Sequence, residues 1–326
     1  MFIIPVVHLG NKTKKDCSFD PKVVYLIVIQ AINIMNNLIQ NYEIILKTLQ
    51  ENCSHITSFK QIKTPKLSNL ELAALNLTAE YMMQNSELQL FRAISNTYLK
   101  EKIERSNYNK RRRKLFHYME DIRRCISAKF SHLSNVFIID SAPIEICEPC
   151  RAKRSNICAT DTIQPNFGYC SAKKTTYFGY KLHLICDENA VVHSFDFTPA
   201  NVHDINFLKD VKYHLNDCEL IGDRGYISAD YQLDLFNEKH IKLTVPTRKN
   251  QHNQVEFSTT KRRKRKRIET LISQLDGQFA MNKNFAKTFD GLATRILSKI
   301  TAITIIQYLN LFVLNRNINN LKINLC

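Results

Sequence analysis

The sequence predicts an α/β protein: a mixed five-stranded sheet flanked by helices, preceded by an all-α N-terminal domain. Three observations carry this. Apolar residues recur at three- and four-residue spacing from about residue 21 to 133, the period of helices. From residue 136 short β-branched runs alternate with helical stretches. Glycine is scarce, with 7 in 326 residues, which argues against a turn-rich all-β architecture.

The first 20 residues are left unassigned. Their start, MFIIPVVHLG, puts the apolar run ahead of the lysines, opposite in order to a secretory signal. Val23 to Tyr42 is uncharged but carries Gln30, Asn33, Asn36, Asn37, Gln40 and Asn41. Those amides are costly in hydrocarbon, so the stretch reads as an amphipathic helix and not a membrane span. The C-terminal apolar stretch, interrupted by Arg295 and Lys299, gets the same reading. A cytoplasmic protein with no membrane partner is expected. Ser68-Asn-Leu-Glu71 matches a capping box opening a helix through Met83. Further helices are expected over Gln84 to Lys100 and Arg111 to Ser127. Residues 21–133 are thus a helical domain, for DNA binding, for dimerisation or as a plain scaffold.

The second domain, residues 134–320, opens on Asn135-Val-Phe-Ile-Ile-Asp140, a buried strand ending in an acid. Residues 145 to 176 read as a long basic loop. Tyr177 to Cys186 alternates, with Phe178, Tyr180, Leu182, Leu184 and Cys186 on one face and Tyr177, Lys181 and His183 on the other. A third strand runs Val191 to Phe197, then a helix from Asn201 to Leu215. Glu219-Leu-Ile-Gly-Asp223 is a fourth strand ending in an acid, and Arg224-Gly-Tyr is a turn. Ser228 caps a helix through Lys239, and Ile241 to Val245 is the fifth strand. After a basic loop come helices at Lys264 to Asp276 and Phe285 to about Val313. Three antiparallel strands feeding two crossover units give the ribonuclease-H-like order.

Lys and Arg outnumber Asp and Glu by 46 to 30, a formal net charge of +16, which points to a polyanionic partner. The ten cysteines read as small buried hydrophobes in a reducing compartment. Cys147-Glu-Pro-Cys150 lacks a second CxxC or a His pair, so zinc there is disfavoured. No Gly-rich phosphate loop and no nucleophile-elbow serine is present, which disfavours ATP hydrolysis and acyl transfer.

The chemistry is expected from carboxylates. Asp140 and Asp223 each follow a short apolar strand, and neighbouring strands would bring both to one rim. Two such charges repel unless a cation lies between them, and hard oxygen ligands select Mg²⁺ or Mn²⁺. Glu269 is the third acid, inside Lys261-Arg-Arg-Lys-Arg-Lys-Arg-Ile-Glu-Thr, where seven consecutive basic residues run into an amphipathic helix. Two ions about 4 Å apart would serve both hydrolysis and strand transfer, since only the attacking hydroxyl changes.

Phe-Ile-Ile-Asp140-Ser, Ile-Gly-Asp223-Arg-Gly-Tyr226 and Arg265-Lys-Arg-Ile-Glu269 resemble the three acidic motifs of DDE-type insertion-sequence transposases of bacteria. Phe178-Gly-Tyr-Lys-Leu-His183, Thr198-Pro-Ala-Asn-Val-His-Asp204 and Asn109-Lys-Arg-Arg-Arg-Lys-Leu115 extend the likeness over roughly residues 65 to 315. The resemblance implies a ribonuclease-H-like core and two divalent ions on Asp140, Asp223 and Glu269. It also implies duplex DNA, terminal inverted repeats and target, as the partner, and a homo-oligomeric synaptic complex. Candidate DNA contacts are Arg111, Arg112, Arg113, Lys114, Arg151, Arg154, Lys173, Lys174, Lys181, Arg224, Arg262, Arg263, Arg265, Lys266 and Arg267.

In many such enzymes the last motif reads Tyr, Arg, Glu, Lys. Here Arg265 and Glu269 keep their spacing, while Arg262 stands at the Tyr position and Asp276 at the Lys position. Lys266, Arg295 and Lys299 are the candidates left to steady a terminal phosphate. Asp204 is read as a first-turn acid or a group behind the metals, and His183 and His203 equally as structural or as catalytic. A fold-retaining protein without turnover, or a nuclease without strand transfer, is the alternative.

Overall fold

The computed structural model describes residues 21–59, 63–247, 257–283 and 285–321, with side chains from residue 37 onward. The opening segment, most of the basic loop after Pro246 and the side chains of the Val23 to Asn36 stretch therefore lie outside the described residues.

Five helices come first: α1 (Pro21–Cys53), α2 (Asn69–Tyr81), α3 (Glu87–Ala93), α4 (Arg105–Lys114) and α5 (Phe116–Ala128). Along α1 the buried residues Leu38, Tyr42, Ile45 and Leu49 form one stripe at helical spacing. The capping box at α2 is complete, Glu71 N donating to Ser68 Oγ and Ser68 N to the Glu71 carboxylate. The helix expected over Gln84 to Lys100 holds only through α3, and the one expected over Arg111 to Ser127 is two helices, broken where Leu115 turns into the core.

The sheet has six strands where five are expected: β1 (Val136–Cys147), β2 (Asn166–Cys170), β3 (Thr175–Asp187), β4 (Val192–Pro199), β5 (Glu219–Ile221) and β6 (Lys242–Thr244). β1 lies antiparallel to β3, and β3 antiparallel to β4. β5 is parallel to β1 and β6 parallel to β5, which gives the ribonuclease-H-like mixed sheet. The added strand, β2, takes the edge of β3 beyond the end of β4. A β-carbon on Gly168 would sit 2.6 Å from the Ala200 carbonyl oxygen, so this close approach needs glycine.

The sequence predicts a strand that ends at Asp140, but β1 runs seven residues further. β5 pairs with it only through Ile138, so the edge beyond is open and Pro143 sits there without breaking a ladder. The helix expected over Asn201 to Leu215 is a tight turn at Asp204–Phe207 followed by one turn of α-helix, α6 (Leu208–Val211). The helix capped by Ser228, α7 (Ala229–Lys239), is as predicted. α8 (Thr259–Gly277) starts five residues earlier than expected, under its own Ser258 cap. α9 (Phe289–Tyr308) is shorter than its apolar stretch, which ends in a wide turn at Leu309–Val313.

Residue parity divides the sheet faces. Ile138 and Leu184 join the large core with α1, α2, α5, α8 and α9, while Ile139 and Ile185 join a smaller one under α6 and α7. α9 is long and apolar enough to cross a membrane, but it is the core helix, buried from Leu292 to Gln307 except at Arg295. Its polar residues satisfy themselves within the helix: Thr294, Ser298, Thr301 and Thr304 each donate to the carbonyl four residues back. Lys299 Nζ donates to Glu80 at 2.6 Å and to the Phe279 carbonyl at 2.6 Å, tying α9 to α2.

Candidate active site

Parallel pairing of Ile138 with Ile221 sets Asp140 and Asp223, each two residues on, at corresponding places on neighbouring strands. Asp140 shares the parity of Ile138 and therefore looks toward the face on which α8 packs. Its carboxylate accepts from Ser141 N at 2.8 Å. Asp223 accepts from Gly225 N at 2.7 Å, closing the turn that follows β5. Glu269 comes from α8 and is paired with Arg265, one turn earlier, at 2.8 Å.

The three acids also act on one another electrostatically. Burial, with the charges of Asp223 and Glu269, pushes the Asp140 carboxyl up to about 7, against the opposing pull of Ser141 N–H and Arg265. Such crowding of negative charge is what a divalent cation relieves, and the donors are all hard carboxylate oxygens. Among the described residues, no three acids, histidines or cysteines stand close enough together to hold an ion, and Glu269 is paired with Arg265. Carboxylate oxygens of this kind are the donors that suit Mg²⁺ or Mn²⁺.

Behind the pair lies a network that the sequence does not foretell. Asp204 Oδ1 accepts from Ser141 Oγ at 3.1 Å and from Lys181 Nζ at 2.9 Å, and Lys181 also donates to the Val202 carbonyl at 2.7 Å. A β-carbon at Gly225 would meet Asp223 Oδ1 at 2.9 Å and Asp204 Oδ2 at 3.6 Å, so Asp204 stands directly behind the turn. Tyr226 is buried, and its hydroxyl has no hydrogen-bond partner among the described residues. Burial and the charges of Asp204, Asp140 and Asp223 raise its phenol far above the usual range. The only signal for this group is its motif text, because pairs 23 and 63 residues apart in sequence are made by the fold alone.

The two histidines are structural. His183 is fully buried, stacked on Phe207 at 4.7 Å and bonded to Thr198 Oγ1 at 2.9 Å; burial holds it down to about 4. His203 accepts from Ile205 N at 3.3 Å and caps the turn holding Asp204.

The basic candidates divide into two groups. On α8, Lys261 pairs with Glu219, Lys264 with Glu188 and Arg265 with Glu269, all on the side of buried Ile268. Arg262, Arg263, Lys266 and Arg267 occupy the outer side and are exposed. Arg113, Lys114, Arg151, Arg154, Lys173, Lys174 and Arg224 are exposed as well. Two candidates are turned inward: Arg112 is buried against Glu87 at 3.0 Å, and Lys181 is held by Asp204. Arg111 is half-buried, donating to the Leu67 carbonyl and to Asn69.

Of the candidates for a phosphate clamp, Lys299 is sealed in the core with Glu80, and Arg295 lies against Asn85 and Glu87. Lys266 alone is exposed, and Asp276 bonds Asn282 at 2.7 Å. All eight described cysteines are free thiols.

No curated protein matches the chain. Residues 131–305, more than half of it, match the family described as transposase DDE domain. That stretch takes in the whole sheet, α8 and all three acids, and the chain belongs to the transposase DDE domain family.

Proposed function

We propose that the protein is a transposase that cuts DNA at transposon ends and transfers the freed strand into target DNA, with Asp140, Asp223 and Glu269 as its catalytic acids. The observation that carries this is the parallel pairing of β1 and β5, which sets Asp140 and Asp223 at matching places on neighbouring strands, with α8, which carries Glu269, packed on the same sheet face.

Asp140 and Asp223 would hold the divalent ions, Mg²⁺ or Mn²⁺ and two per site, with Glu269 as the third ligand. Bound there, the metal supplies a Lewis acid for the phosphodiester and an activated hydroxyl for in-line attack. The residues of the chain do the rest. Glu269 would leave Arg265 to join its fellow acids, which would free a guanidinium whose charge already favours the Asp140 carboxylate for the scissile phosphate. Arg262, Arg263, Lys266 and Arg267, on the outer side of α8, hold the flanking phosphates. The Ser141–Asp204–Lys181 network keeps the floor of the site rigid while the turn after β5 fixes Asp223. Terminal inverted repeats are the proposed DNA, brought together in a homo-oligomeric complex within the cytoplasm.

One assay tests the reading: purified protein, Mg²⁺, a labelled inverted-repeat end and a target plasmid. Joined product is expected, lost in Asp140→Asn and Asp223→Asn by at least about a thousandfold while DNA binding persists. Cleavage without joining would reduce the function to a nuclease, and binding alone would sink the enzymatic reading.

A further inference from the structure

Basic residues away from the acids gather around two open grooves that share a wall. In the first, of about 760 Å³, Lys110, Arg113, Lys114 and His117 line one side. Lys110, Arg113 and Lys114 share one face of α4 by their three- and four-residue spacing, and His117 joins them from the first turn of α5. The other side is the start of α9, with Phe289 and Asp290. The second groove, of about 800 Å³, is lined by Arg151, Arg154 and Lys287, with Ser155 and Asn156 between them.

The shared wall is fixed by two bonds. Cys158 N donates to the Lys287 carbonyl at 3.0 Å, and Phe289 N donates to Asp161 Oδ2 at 2.7 Å. Lys287 therefore stands on one side of this wall, and Thr288 to Asp290 on the other. None of Lys110, Arg113, Lys114, Arg151, Arg154 or Lys287 makes an ion pair among the described residues, although Arg112 in the same helix does. The acids present are Asp161, whose carboxylate is already taken by Phe289 N–H, and Asp290. Neither groove includes a residue of the acidic site or of α8.

A phosphate backbone laid along both grooves would neutralise several of these cations at once and release its counterions. We propose that these two grooves form a second DNA track, on which duplex DNA is held by its phosphates jointly by the N-terminal helices and the catalytic domain. This rests on the transposase reading for the identity of the polyanion. It adds a contact surface separate from the outer side of α8, and gives α4 a share in DNA binding.

The test is fluorescence anisotropy of the full-length protein with a labelled duplex of about 40 base pairs, metal-free, at several salt concentrations. One variant combines Lys110→Gln, Arg113→Gln and Lys114→Gln; another combines Arg151→Gln, Arg154→Gln and Lys287→Gln. All six side chains are exposed, so the fold survives, as an unchanged thermal midpoint will show. Each variant is expected to weaken binding about tenfold or more at 0.1 M salt and to flatten the log–log salt slope by about 2 to 3. Unchanged affinity and slope in both would overturn the track. So would a preference for duplex RNA of the same length, or failure of the unaltered chain to bind duplex DNA. Metal-dependent cutting is scored separately on the unaltered chain and Asp140→Asn, so a failed catalytic reading is told apart from a failed track.

Discussion

Arg265 and Glu269 stand one turn apart on α8 and form an ion pair at 2.8 Å, while the same guanidinium acts on Asp140 across the site. Arg265 thus competes for the acid that the metal needs. Arg265→Gln is expected to lower the Mn²⁺ concentration needed for half-maximal thermal stabilisation by about threefold to tenfold, although DNA joining falls. Unchanged or weaker Mn²⁺ binding would show that Glu269 is not held away by its neighbour.

Asp140 makes stability depend on pH. Its folded-state carboxyl titrates near 7, well above the ordinary 3.8, because of burial and the charges of Asp223 and Glu269. The folded protein therefore holds a proton that the unfolded chain releases, and metal-free stability drains away as pH rises from about 4 through 7. Asp140→Asn removes this loss. Without metal, the variant should be more stable than the unaltered chain by about 1 to 3 kcal/mol at pH 8, with the gap shrinking toward pH 5. Thermal melts across that range check it; a gap independent of pH contradicts it.

Much of this site is legible in the sequence because its signals are local. The acids at Asp140 and Asp223 announce themselves at short apolar strands, and Arg265 and Glu269 sit at helical spacing. The side-by-side placement of the strands, by contrast, comes from pairing that joins residues more than 80 positions apart. β2 escapes notice because Asn166-Phe-Gly-Tyr-Cys170 has no buried face; only the free edge of β3 makes it a strand. Pro143 hides the second half of β1, since the open edge that tolerates it is a property of the sheet. Lys181 and Arg112 read as surface cations, yet their partners Asp204 and Glu87 arrive from elsewhere in the chain.

Lys299 is committed to the core and not to phosphate. It and Glu80 are nearly inaccessible and joined at 2.6 Å between α9 and α2. Lys299→Met should cost about 3 to 5 kcal/mol in urea denaturation by stranding Glu80, and Glu80→Met in the same chain should restore most of it. A loss under about 1 kcal/mol would mean the pair does not join the N-terminal helices to the catalytic core.

The Tyr226 hydroxyl is buried near three carboxylates without a partner among the described residues. Removing an unsatisfied polar atom relieves a penalty of about 1 to 3 kcal/mol. Tyr226→Phe is therefore expected to raise the melting midpoint of the metal-free protein by a few degrees. A lowered midpoint would reveal a bond that the hydroxyl makes.

The most direct measurement is anomalous diffraction from crystals of the protein bound to a transposon-end duplex and soaked in Mn²⁺. Peaks are expected within about 2.2 Å of carboxylate oxygens of both Asp140 and Asp223, with Glu269 swung away from Arg265 to join them. Manganese seated on other side chains, while these three acids stay bare in crystals that still cut the DNA, would contradict the assignment.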